Sequence, residues 1–142
     1  MAEDQRRSVT LERLETGVYR ATNAAGAELV FGSMLDAGFT PVELLLAAIG
    51  GCSAVDVDVV TGRRSEPEQF EVEVSGEKVR DEGGSHLTDL QMTFRVTFPV
   101  GPEGDAARER LPRAVQASHE RTCTVSRTVE AGTPVTVTIA PA

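Results

Sequence analysis

The stretch Thr40–Val60, TPVELLLAAIGGCSAVDVDVV, decides how the rest of the chain is read. It is the longest apolar run in the sequence, it carries one of the two cysteines, and strand-like segments flank it on both sides. Thr40 suits an N-cap, Pro41 the first helical position, and Glu43 falls three residues after the cap, which together make a capping box. From Val42 to Ile49 the run is apolar nearly all round, so the spacing predicts a central helix covered by protein on most sides, with Cys52 deep inside it. Its length alone would suit a membrane span, but Asp56, Asp58 and the paired glycines argue against lipid. Gly50 and Gly51 sit mid-helix, where each costs about 1 kcal/mol relative to alanine. Such a cost is tolerated where another backbone or a ligand comes close. Because the pair immediately precedes Cys52, the access it opens is access to the thiol.

Working outward, Val9–Leu14, Val18–Asn23 and Glu28–Gly32 read as three short strands, punctuated by Thr16-Gly17 and Ala25-Gly26 at hairpin turns. A loop from Ser33 to Phe39 leads into the helix. Beyond Thr61-Gly62, Phe70–Ser75 alternates apolar and polar, as a half-buried antiparallel strand does. After a polar turn at Asp81–Ser85, Leu90, Met92, Phe94, Val96 and Phe98 alternate along the returning strand. The dry face of this hairpin needs a helix, and the central one is the obvious cover. Asp105–Glu120 reads as a second helix, with Asp105 as a possible N-cap and Pro112 implying a kink or a late start. Val135–Ile139 is expected as a final strand. The order βββ-α-ββ-α-β makes residues 1–142 a single α+β domain.

Composition narrows the function. A chain of 142 residues with 40% hydrophobic and 25% charged residues fits one soluble domain. A formal charge of −8, with no basic cluster longer than two arginines, speaks against a nucleic-acid partner. The N-terminal segment lacks the apolar stretch of a signal peptide, so a cytoplasmic location with no membrane partner is the default. In that compartment Cys52 and Cys123 are more plausibly reactive or simply buried than a permanent staple. Both lie on elements expected to cover the same sheet, so the thiols could meet, and a cyclic disulfide suits a reducing cytosol better than a fixed one.

The pair of motifs PVELLLAAIGGC and, some seventy residues later, AVQASHERTCTVS resembles the OsmC/Ohr superfamily of thiol-dependent hydroperoxide reductases, in its OsmC-like branch. The resemblance extends over nearly the whole chain. It implies antiparallel sheets packed on a long central helix in an intertwined homodimer, with each active site built from both chains. It implies Cys52 as the peroxidatic thiol and Cys123 as the resolving one, with an external dithiol as reductant and hydroperoxides as substrates. It also implies an arginine from the N-terminal hairpin, for which Arg20 is the candidate, and a glutamate.

Chemistry asks for the same groups. A buried thiol far from the helix N-terminus is mostly protonated at neutral pH and needs a cation. The glutamate position directly after the proline holds Val42, leaving Glu43 to substitute. Nine residues turn a helix by about 900°, so Glu43 and Cys52 leave opposite faces. Glu43 would act on a partner's thiol, through a bent helix start, or only as a cap. Asp56, four residues after Cys52, opposes thiolate formation.

His119 precedes Cys123 by four residues and could meet it at a helix end, or simply bond the last helical carbonyls. With Cys52 and His86 it could in principle form a soft-metal site, but the paired CxxC spacing of structural zinc is absent, and no metal or organic cofactor is implied. A second reading stays open, in which an OsmC-like homodimer without peroxidase activity binds a small apolar molecule in a pocket at the dimer interface.

Overall fold

The protein is described by a computed structural model covering residues 5–34, 36 and 38–141. Among the described residues it is a mixed α+β chain with two antiparallel sheets and three α-helices, in two compact units, Met1–Leu45 and Leu46–Ala142.

The first unit is a three-stranded meander of β1 (Val9–Glu15), β2 (Val18–Asn23) and β3 (Glu28–Gly32), in that order. Gly17 and Gly26 take positive φ angles of 74° and 91° at the two turns, where a side chain would be strained. Asn23 braces the second turn, its side-chain oxygen accepting from the Ala25 and Ala27 amides. The unit ends in the start of α1 (Pro41–Gly62), closed by the expected capping box. Glu43 N–H donates to Thr40 Oγ1 at 3.2 Å, and Thr40 N–H donates to Glu43 Oε1 at 2.9 Å.

The second unit holds the rest of α1 and a long hairpin, β4 (Gln69–Asp81) with β5 (Gly84–Thr97), registered from Gln69↔Thr97 to Asp81↔Gly84. The alternation seen in the sequence holds. Phe70, Val72 and Val74 of β4 and Met92, Phe94 and Val96 of β5 are half-buried, while Glu73 and Arg95 pair on the wet face at 2.9 Å. Helix α1 lies against this hairpin. A Cβ on Gly50 would come within 2.6 Å of Val74 Cγ2, so Gly50 permits the close approach, whereas Gly51 faces open space.

Within the single chain α1 is covered on part of its surface only. One face, Ile49, Gly50, Ser53, Val57 and Thr61, is buried, while Val55 and Val59 on another remain 64% and 54% exposed. Within one chain α1 meets the hairpin at Gly50 and the π turn at Asp56, and a helix buries only the faces turned towards its neighbours.

Helix α2 (Pro102–Ala117) starts earlier than expected. Gly101, at φ 132°, is its N-cap, and Pro102 takes the first position, where a missing N–H costs nothing. Asp105 therefore sits in the first turn rather than at the cap, donating its N–H to the Gly101 carbonyl and pairing with Arg108 at 2.8 Å. The helix runs on through Pro112 and passes into a π turn at Ser118–Thr122.

The end of the chain differs most from expectation. Thr124–Ala131 is a third helix, α3, terminated by Gly132 in the left-handed region at φ 65°. Val135–Ile139 forms no strand; its Val135, Val137 and Ile139 are almost fully exposed. Alternation prepares a segment for a sheet, but it becomes a strand only where an edge takes its N–H and C=O groups.

Candidate functional site

Cys52 and Cys123 are both free thiols, and the fold brings them together. Cys52 projects from α1, one residue before the fully buried Ser53, and is itself half-buried. Cys123 is fully buried. It stands between the π turn and α3 with an extended backbone, which makes it the N-cap of α3. In that position its sulfur accepts the Ser126 N–H at 3.4 Å and lies 3.3 Å from Ser126 Oγ. Sulfur here takes the place usually held by a Ser, Thr or Asp oxygen.

These surroundings act on the two thiols in opposite directions. Burial raises the Cys52 thiol above its ordinary value; the Val125 backbone opposes this, while Cys123 and the Asp56 charge add to it. Burial also pushes Cys123 up, but the Ser126 hydroxyl, the Ser53 hydroxyl, the Ser126 N–H and Cys52 outweigh it and leave Cys123 below its ordinary value. Ser53 Oγ faces that sulfur without a hydrogen bond of good geometry, so its proton is available once Cys123 is a thiolate. The expected order of ionisation is Cys123 before Cys52. Cysteine 13Cβ shifts followed by NMR from neutral to alkaline pH should show Cys123 titrating below, and Cys52 above, an ordinary cysteine. Titration of Cys52 first would contradict this ordering.

Beside the pair lies a cavity of about 460 Å³, whose apolar wall includes Ile49, Val74, Leu90, Met92 and Phe94. His119 and Glu130 stand on its polar side, with His119 Nε2 3.7 Å from Glu130 Oε2. His119 thus reaches across to α3 instead of bonding the last carbonyls of its own helix. His86 is elsewhere, 3.6 Å from Asp81 near the hairpin turn. Among the described residues, no group of three or more His, Cys, Asp and Glu side chains is arranged to hold a metal ion.

Arg20 and Glu43 belong to the first unit and are engaged there. Arg20 on β2 is paired with Glu12 and lies 4.0 Å from Glu28, and Glu43 serves the capping box. Nothing in the sequence marks Ser53 or Ser126 as site residues, and next to Cys52 Asp56 reads there as an unfavourable charge. Asp56 Oδ2 in fact accepts from Ser118 Oγ at 2.8 Å and Thr122 Oγ1 at 2.9 Å. A signal for α3 and its capping cysteine was present: Val125 and Val129 at helical spacing, closed by Gly132.

Comparison with known proteins agrees with this architecture. An uncharacterized protein of Mycobacterium tuberculosis is 33% identical over 131 residues, covering 91% of this chain and 93% of that protein. The fold is that of an OsmC-like protein of unknown function from Vibrio cholerae, at a TM-score of 0.70 and 15% identity over 92% of this chain and 95% of the other. The organic hydroperoxide resistance protein OhrB of Bacillus subtilis shares it more loosely, at 0.53 and 22% identity over 87% and 90%. Residues 33–138 match the family described as OsmC-like protein, a span that takes in both cysteines, the capped helix and the β4–β5 hairpin. By that match and by its fold, the chain belongs to the OsmC-like family.

Proposed function

We propose that the protein is a cytoplasmic thiol peroxidase of oxidative stress defence, reducing organic or inorganic hydroperoxides through Cys52 and Cys123. The observation that carries this reading is the meeting of two free thiols, one from α1 and one at the N-cap of α3, beside an apolar cavity. Cys52 is the more accessible of the two and takes the peroxide. Its thiolate attacks the terminal peroxide oxygen, an S–O bond forms as the O–O bond breaks, and the departing alkoxide or hydroxide takes up the proton that Cys52 released, leaving as alcohol or water. Cys123, the more acidic thiol, then attacks the sulfenic sulfur; an S–S bond forms and water departs. An external dithiol returns two electrons and two protons.

Burial and Asp56 hold the Cys52 proton, so the first step needs a cation. Arg20 is assigned that role, exchanging Glu12 and Glu28 for the thiolate, with Glu43 as its partner. The active unit is an intertwined homodimer in which α1 presents its uncovered face, including Val55 and Val59, to a second copy. Exposed apolar side chains on an otherwise regular core helix support that assembly. Hydroperoxide resistance in the name of the Bacillus subtilis relative supports the chemistry.

The test treats reduced protein with a slight excess of an organic hydroperoxide and follows free thiols and intact mass. Rapid loss of both thiols, with a mass lower by two hydrogens, is expected. Oxidation no faster than that of free cysteine sinks the reading.

The raised Cys52 thiol favours a second reading, a family member without peroxidase activity that binds a small apolar molecule. The 460 Å³ cavity, lined within a single chain, is its natural place. Slow oxidation together with saturable binding of an apolar fluorescent probe would select it.

A further inference from the structure

Asp56 stands one helical turn after Cys52, so the two side chains leave the same face of α1. Its Oδ2 accepts from Ser118 Oγ and Thr122 Oγ1, the first and last residues of the π turn. That turn is closed by the Cys123 N–H, which donates to the Ser118 carbonyl at 2.8 Å. One carboxylate oxygen therefore grips both ends of the ring whose closing N–H belongs to Cys123. We propose that Asp56 is a positioning residue for the dithiol step, tying the π turn to α1 so that Cys123 is held within reach of Cys52; the inference rests on the dithiol reading above.

Three physical points support the tether. A π turn is a rare and isolated conformation, stable where outside partners hold it. Hydrogen bonds to an ionised acceptor are the strong class, and Ser118 is buried, so water competes poorly for this one. Both donors are short hydroxyl side chains, which leaves little slack between helix and turn. The charge itself works against Cys52 ionisation, so the benefit of an acid here is geometric. A disulfide needs its two Cβ atoms within a narrow range, and a displacement of about 1 Å can cost roughly a hundredfold in an intramolecular reaction.

The experiment equilibrates the protein with reduced and oxidised glutathione. Cys52 and Cys123 pass two electrons and two protons to oxidised glutathione, giving the intramolecular disulfide and two reduced glutathiones. Alkylation and mass analysis then yield the effective concentration of the pair. Asp56→Ala should lower it about tenfold or more. The double variant Ser118→Ala/Thr122→Val should do the same while keeping the charge. Asp56→Asn, whose amide oxygen can accept both hydroxyls, should stay within about threefold of the parent. A merely structural role would show as a lower urea midpoint of the reduced protein in step with the loss; an unchanged midpoint with a lowered effective concentration marks positioning, and Asp56→Asn separates geometry from charge.

Parent-like values in both Asp56→Ala and the double variant would overturn the tether. So would Asp56→Asn behaving like Asp56→Ala, since the charge would then be what matters. If the parent itself forms no intramolecular disulfide at any glutathione ratio, the dithiol reading fails, and the tether with it.

Discussion

The Cys52→Ser variant is expected to consume an organic hydroperoxide at about a thousandth of the parent rate or less, because removing a covalent nucleophile removes the reaction path itself. A serine hydroxyl is almost never ionised near neutral pH, and its oxygen lacks the polarisable electrons that make a thiolate attack peroxide. Cys123 cannot take over readily, since it is fully buried while Cys52 is half-exposed. Cys123→Ser behaves differently. It should reduce one equivalent of peroxide per subunit and stop at the sulfenic acid, which dimedone traps on Cys52. Stopped-flow peroxide consumption and mass mapping of the adduct read both outcomes. Retention of more than about a tenth of the rate by Cys52→Ser, with dimedone on Cys123, would reverse the two roles.

The second large effect concerns folding. Gly104→Ala is expected to destabilise the protein by about 3 kcal/mol or more, read as a shift in the urea unfolding midpoint. A Cβ at Gly104, in the first turn of α2, would lie 1.7 Å from the Pro99 carbonyl oxygen. The obstacle is backbone, so no rotamer change relieves it. Helix propensity alone predicts the opposite sign, a gain of about 1 kcal/mol for alanine over glycine. Overpacking wins because the helix must lift away from the end of β5. That displacement would loosen the bond from Arg108 Nη2 to the Phe98 carbonyl and be felt along α2 towards the π turn. A midpoint within about 1 kcal/mol of the parent would show that the start of α2 yields easily.

Features whose cause is local were readable in the sequence. The capping box at Thr40 and Glu43, the glycine turns of the first sheet and the wet and dry faces of the β4–β5 hairpin each follow from a few neighbouring residues. The meeting of Cys52 with Cys123 was reachable through the two motifs. What escaped was non-local. Asp56 reads as a hindrance until its partners, more than sixty residues on, are in place. The same holds for Ser53 and Ser126, ordinary serines until a sulfur is set against them.

By itself, then, the sequence determined the elements as far as the β4–β5 hairpin, the capped apolar helix among them, and the family whose cysteine motifs it carries, because caps, turns and periodicity act within a turn or a strand pair. Tertiary structure alone decided which face of α1 is buried, that Cys123 caps a helix, and that Ser53 and Ser126 are set against its sulfur. It also left Val135–Ile139 without a strand partner. Each depends on which groups meet across long stretches of chain. Burial, hydrogen-bond donors and sheet edges are properties of that meeting and not of any one segment.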